Sequence, residues 1–328
     1  MNDTPSLRDV YIARGRIGHL VRRTPCVESP ALSAAAAGDV YLKLECLQNT
    51  GSFKVRGASN RILGLSDAER KRGVITFSTG NHGKAVAYVA GRTGIPALVC
   101  LSEHVPAYRA NLIEGYGARV HVSGRSQDEA EKVYFDLMKE RNLVPVVPFD
   151  DPFVIAGQGT IGLEMLEDVP DLEMVLVPLS GGGLLAGIAL AVKSVYPGAV
   201  IIGVSAERSP VMLESVRAGR PVRMEEKDTL ADSLLGGIGD DNRYTLSMVR
   251  DLVDEHVVVT EEEIENGMVF TFRNHSLIVE GAAAVGIAAV LSGKVDISGR
   301  KAGIVLSGSS VEEQRYLAVL NKHVTLDR

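Results

Sequence analysis

The 328-residue chain has no tryptophan, and aromatic residues make up only 5% of it. That leaves little material for the stacking platforms that bind nucleobases. Basic residues do not gather either. The longest basic runs are Arg22-Arg23 and Arg70-Lys71-Arg72, and the formal net charge is −6. This composition excludes nucleic acid as the main partner. Cysteines are few: Cys26, Cys46 and Cys100. Their spacing forms no Cys-x-x-Cys pair, and the odd count fits no disulfide framework, so the expected setting is a reducing cytoplasm. Residues 1–9 hold no apolar signal core, and apolar runs such as residues 281–291 are too short to span a bilayer. No membrane association is expected.

Hydrophobic residues make up 45% of the chain, enough for substantial cores, and its length exceeds one average domain. Residues 7–20 carry Leu7, Val10, Tyr11, Ile17 and Leu20 at roughly helical spacing, with Thr24-Pro25 as the stop. Strands are predicted over 40–44, 73–77, 97–101, 119–122, 144–147, 174–177, 200–204, 257–259 and 303–306. Helices are predicted over 58–63, 84–90 and 184–192, and helical stretches lie between most of the strands. Short β-branched runs alternating with helices specify an α/β protein whose parallel sheets are covered on both faces. No proline- or glycine-rich linker marks a domain boundary.

Four segments carry the chemistry. The first is Gly51-Ser52-Phe53-Lys54-Val55-Arg56-Gly57-Ala58, with one lysine between an aromatic ring and a glycine. A lysine amine is the usual covalent anchor for pyridoxal phosphate. The second, Ser78-Thr79-Gly80-Asn81-His82-Gly83, ends a predicted strand and opens a helix, where backbone N–H groups can hold a carboxylate. The plain alternative there is a capped helix with a solvated histidine. The third, Ser180-Gly181-Gly182-Gly183-Leu184, sits at another strand-to-helix junction. Its glycines let backbone N–H groups approach a phosphate, and the helix dipole adds positive charge. The fourth is Leu306-Ser307-Gly308-Ser309-Ser310.

The glycine loop also satisfies Gly-x-Gly-x-x-Ala through Gly181, Gly183 and Ala186, and Glu207 follows about one βα unit later. A nicotinamide oxidoreductase therefore competes on these residues alone. That reading accounts for neither Lys54 nor Asn81. Gly239-Asp240-Asp241-Asn242 reads as a turn, and the histidines show no metal-ligand spacing.

Together and in this order, the four segments resemble the fold-type-II pyridoxal-phosphate enzymes of the serine/threonine dehydratase and serine racemase group. The resemblance implies a two-lobed, tryptophan synthase β-like fold. Residues 1–50 and 151–328 would form a large cofactor-binding lobe and residues 51–150 a small one. It implies pyridoxal 5'-phosphate as cofactor, an amino-acid substrate and a homodimer. Since the chain stops at Arg328, soon after the serine motif, no appended regulatory domain is expected.

By resemblance Lys54 is both anchor and α-proton base, which calls for a pKa lowered by burial. Phe53 packs near the cofactor. Asn81 bonds its phenolic oxygen. Ser180, Gly181, Gly182, Gly183 and Leu184 hold its phosphate. Ser307 faces its pyridine nitrogen, and Glu280 lies on the cofactor-side helix. Ser78, Thr79 and His82 line the substrate carboxylate loop. Lys43 and Arg56 read as structural or surface charges. In relatives that racemise serine, a serine at the position of Thr79 is the second acid/base, and many threonine dehydratases have alanine there. Some relatives bind a divalent ion through a glutamate matching Glu207 and a nearby aspartate. That second position is Leu213, which offers no oxygen, so no metal is expected. The implied reaction is loss of water from a β-hydroxy amino acid, with racemisation as the alternative. Ser180, Thr79 and the stretch from Leu235 to Tyr244 look most like the hydroxyectoine-utilisation dehydratase branch.

Overall fold

The computed structural model describes residues 4–103, 105–124 and 127–324. Its strands, in chain order, are β1 (Cys26–Glu28), β2 (Asp39–Lys43), β3 (Val74–Phe77), β4 (Ala97–Leu101), β5 (Arg119–Val122), β6 (Val144–Pro145), β7 (Met174–Pro178), β8 (Val200–Ala206), β9 (Glu255–Val259) and β10 (Lys301–Val305). They form two sheets. The larger has the order β1-β2-β10-β7-β8-β9 and the smaller β5-β4-β3-β6. Every pairing is parallel except β1 with β2. The smaller sheet uses only strands between Val74 and Pro145, while the larger draws on both ends of the chain.

Alternation along the strands explains why both faces of each sheet are covered. In β7, Met174 and Leu176 enter one apolar cluster, and Val175 and Val177 enter another on the opposite face. In the smaller sheet, Val74 and Val99 face one cluster while Ile75 and Leu98 face a second. The helices that fill these faces are correspondingly apolar. Gly281–Leu291 is almost wholly alanine, valine, isoleucine and glycine, and residues 281–290 are all buried. Helix Pro152–Asp168 is buried from Val154 to Leu166 and packs against the helices Lys54–Leu63 and Gly183–Val195.

Several boundaries differ from the sequence reading. The helix over 58–63 starts four residues earlier, at Lys54 itself. The first helix ends at Ile17, well before Thr24-Pro25. β6 is only two residues long, and the antiparallel edge strand β1 carries no period-two pattern long enough to read. Of the two readings open for Lys43 and Arg56, the structural one holds. Neither is a surface charge: both have fully buried side chains. Lys43 Nζ donates to Glu164 Oε2 at 2.7 Å and to the Thr24 carbonyl at 2.6 Å. Arg56 donates from Nε and Nη2 to Glu45, both at 2.8 Å, and from Nη1 and Nη2 to Glu164, both at 2.7 Å. Two cations and two carboxylates thus neutralise one another beneath the first turn of the Lys54 helix. A buried charge is tolerated when it is paired in this way.

Candidate active site

The four chemistry-bearing segments meet at the carboxyl ends of parallel strands, where open α/β folds place their ligands. Ser78 to Gly80 follow β3, Ser180 to Gly182 follow β7, and Ser307 follows β10. Two backbone contacts bring the Lys54 segment to the last of these. Phe53 N–H donates to the Ser307 carbonyl at 3.1 Å, and Ser52 bridges to Gly308.

Lys54 is half-buried and opens its helix. Its Nζ donates to the Pro148 carbonyl at 2.9 Å and lies 5.1 Å from the centre of the Phe53 ring. Burial pushes the amine down to about 8, against the opposing pull of Glu280. A lysine so placed is neutral often enough near neutral pH to act as nucleophile or base.

The glycine loop ends β7 and caps the helix Gly183–Val195, with Gly182 at the cap in left-handed backbone (φ 86°). A Cβ on Gly182 would also lie 2.8 Å from the Met212 side chain, and one on Gly181 would lie 2.3 Å from the Phe149 ring. Only glycine fits this turn. The first N–H groups of the helix have no intrahelical acceptor, so the loop end is an anion site in chemical terms.

The second loop is built on the same plan. Gly80 caps the helix Asn81–Thr93, and Gly80 N–H is 3.4 Å from Ser78 Oγ. A Cβ on Gly83 would lie 2.3 Å from the Ser78 carbonyl oxygen. Thr79 is half-buried between strand and helix. Asn81 is buried, and its Nδ2 donates to both Glu280 oxygens at 3.0 Å. Glu280 also accepts from Ser310 N–H at 2.9 Å. Burial raises the Glu280 carboxyl above its ordinary range.

His82 is not solvated. It is 3% exposed, and its Nε2 is 2.8 Å from the Val146 carbonyl oxygen. Burial, with the nearby Lys54, pushes its imidazole down to about 3. The ring is therefore neutral, and Nε2–H donates to Val146. Its side chain is engaged with the Val146 carbonyl just past β6.

Sequence reasoning missed the stretch that ties these parts together, Val146 to Asp151. Besides His82 and Lys54, it holds the glycine loop through Phe149, whose Cα would lie 2.9 Å from a Cβ on Gly183. Asp150 accepts from the N–H groups of Arg243, Tyr244 and Thr245 at 2.7, 2.9 and 2.9 Å, capping helix Thr245–Leu252. Pro148-Phe149-Asp150 after a short β-run was the available signal, and it reads as an ordinary loop. Glu207 N–H pairs with the Val259 carbonyl, and Leu213 is buried in its helix. Asn242 Oδ1 accepts from the Leu246 N–H at 2.9 Å in the first turn of helix Thr245–Leu252, and its Nδ2 donates to Thr245 Oγ1 at 2.7 Å.

Pyridoxal phosphate fits this constellation. The donor set offers a lysine amine of lowered pKa, a glycine-lined helix N-terminus for a phosphate and the Ser307 hydroxyl for a ring nitrogen. Ser52 Oγ, two residues before Lys54, is buried without a hydrogen-bond partner among the described residues, which marks a polar surface built for something further.

Comparison with known proteins agrees. A family model for "Pyridoxal-phosphate dependent enzyme" matches residues 17–308, a span that includes all four segments up to Gly308. The chain belongs to this family, with the fold-type-II architecture and pyridoxal phosphate as its cofactor. Within the family it is a lyase. It is 43% identical to the L-threonine ammonia-lyase of Thermotoga maritima, over 97% of this chain and 78% of the relative. It is 42% identical to the L-threonine dehydratase catabolic TdcB of Staphylococcus aureus, over 96% and 92%. Its structure is similar to that of maize serine racemase, with a TM-score of 0.91, 34% identity and 98% of each chain covered. The competing nicotinamide reading of the glycine loop is set aside by this match, which takes in Lys54 and Asn81 as well.

Proposed function

We propose that the protein removes water from a β-hydroxy amino acid and thereby releases its nitrogen as ammonia. The observation that carries this reading is the half-buried Lys54 amine, with its pKa lowered to about 8, set between a glycine-lined helix N-terminus and the Asn81–Glu280 pair. When bound, pyridoxal phosphate supplies an electron sink for the bond broken at the substrate α-carbon. Lys54 holds the cofactor and, once displaced, takes the α-proton at Nζ. Phe53 packs beside it. Ser180, Gly181, Gly182, Gly183 and Leu184 hold the phosphate, and Asn81, backed by Glu280, orients the ring. Ser307 would offer the ring nitrogen a hydroxyl, where a carboxylate would keep that nitrogen protonated. The backbone N–H groups from Ser78 to His82 hold the substrate carboxylate. The released enamine takes up water to give a keto acid and ammonia.

The finer reading places the natural substrate among β-hydroxylated diaminobutyrate derivatives of hydroxyectoine breakdown. Ser180 in place of a fourth glycine, with Thr79 and the stretch from Leu235 to Tyr244, supports it. The same reading has a cytoplasmic homodimer, with residues 51–150 as a lobe set into one formed by residues 1–50 and 151–328. The membership of the two sheets supports that division. Purified enzyme assayed against a panel of β-hydroxy amino acids, following keto acid and ammonia, tests the proposal. Turnover of none of them would overturn it.

A further inference from the structure

Lys84 lies three residues beyond Asn81 on the helix Asn81–Thr93, so the two side chains share a face. Lys84 Nζ donates to Ser310 Oγ. Ser310 Oγ donates to Asn81 Oδ1, and Asn81 Nδ2 donates to Glu280. The chain of donors therefore runs Lys84, Ser310, Asn81, Glu280. Its direction is set from both ends, because the Glu280 carboxylate can only accept and the Lys84 ammonium can only donate. An ammonium group has no lone pair and can only donate, so the single proton of the Ser310 hydroxyl is left for Asn81 Oδ1. That in turn sends the Asn81 amide nitrogen toward Glu280. Burial lowers the Lys84 pKa, and the Glu280 carboxylate opposes that effect and favours the donating ammonium. Without Lys84 the hydroxyl is free to turn its proton away, and nothing holds the carbonyl end of the amide.

We propose that Lys84 is a positioning residue: acting through Ser310, it fixes the orientation of the Asn81 amide and hence the polar atom that Asn81 presents to the cofactor. The inference rests on the assignment of Asn81 to the cofactor. It assigns a specific task to a half-buried lysine one turn beyond Asn81.

The test uses purified apoprotein titrated with pyridoxal phosphate, reading Kd and the absorbance maximum of the bound cofactor. Lys84→Met and Ser310→Ala should each raise Kd about tenfold, the scale of one hydrogen bond to a charged group. They should also move the absorbance maximum in the same direction. The double variant should be no worse than either single one, because both cut the same chain. Lys84→Arg, which still donates, should keep most of the wild-type affinity. Melting temperatures of the apoproteins separate these effects from misfolding. Wild-type Kd and spectrum in Lys84→Met, alongside altered values in Asn81→Ala, would overturn the inference while leaving Asn81 in place. Fully additive losses in the double variant would also overturn it. Wild-type values in Asn81→Ala would overturn the assignment of Asn81 itself.

Discussion

Lys54 Nζ donates to the backbone carbonyl of Pro148, a residue 94 positions later in the chain, at 2.9 Å. The loop that receives this bond also accepts the His82 Nε2–H at Val146 and packs Phe149 against the glycine turn. Lys54, the loop around His82 and the glycine turn are therefore held to one short stretch after β6. Each can be probed separately.

Lys54→Ala should abolish both turnover and the attachment of pyridoxal phosphate that borohydride reduction makes permanent, with the fold retained. General-base catalysis alone contributes about 10²–10⁴-fold, and loss of the anchor adds to that. Near-normal turnover in a variant that melts like the wild type would remove Lys54 from the mechanism.

The lowered pKa of Lys54 has a defined sign. The base must be neutral, so activity should rise with pH through about 8. In the apoprotein the folded-state pKa lies below the ordinary value of 10.5, so the folded state binds fewer protons in that window. The contribution of Lys54 to stability is present above 10.5 and is lost as pH falls through 8. Lys54→Met, which cannot titrate, should gain melting temperature over the wild-type apoprotein most clearly below pH 8. A gap independent of pH between 7 and 11 would contradict the shift.

Gly182→Val should weaken cofactor binding and also lower apoprotein stability. The left-handed backbone alone costs a side-chain-bearing residue about 1–2 kcal/mol, and the Met212 contact adds to it. Titration should show a larger loss than the melting temperature, because the added side chain distorts the N–H groups aimed at the phosphate. Unchanged affinity would reduce the loop to a packing turn.

Arg56→Met should destabilise the protein by about 3–5 kcal/mol in urea, since it leaves Glu45 and Glu164 buried without their shared cation. A loss under about 1 kcal/mol would match an exposed pair and would contradict the burial of the quartet.

Elimination should outrun racemisation on L-serine and L-threonine, because the Thr79 methyl hinders return of a proton from the opposite face. Thr79→Ser should raise the yield of D-product relative to keto acid, and Thr79→Ala should remove it. Chiral chromatography beside a keto-acid assay reads both. D-product formed faster than keto acid by the unaltered enzyme would make racemisation the main activity.

The sequence by itself determined the alternation of strands and helices and the two glycine turns, because each is a local matter of period or backbone freedom. β3, β4, β5 and β7 fall at or within a residue of where the pattern puts them. Tertiary structure decided what long polar side chains do. Lys43 and Arg56 look like any other cations until Glu164, more than a hundred residues away, arrives to neutralise them. His82 is a buried neutral donor only because β6 pairs beside β3 and brings the Val146 carbonyl to it. Lys84 reaches Ser310 only because the ends of β3 and β10 converge. Periodicity records which face a residue occupies, whereas the partner that makes a buried charge or polar group affordable comes from a distant segment that no local pattern encodes.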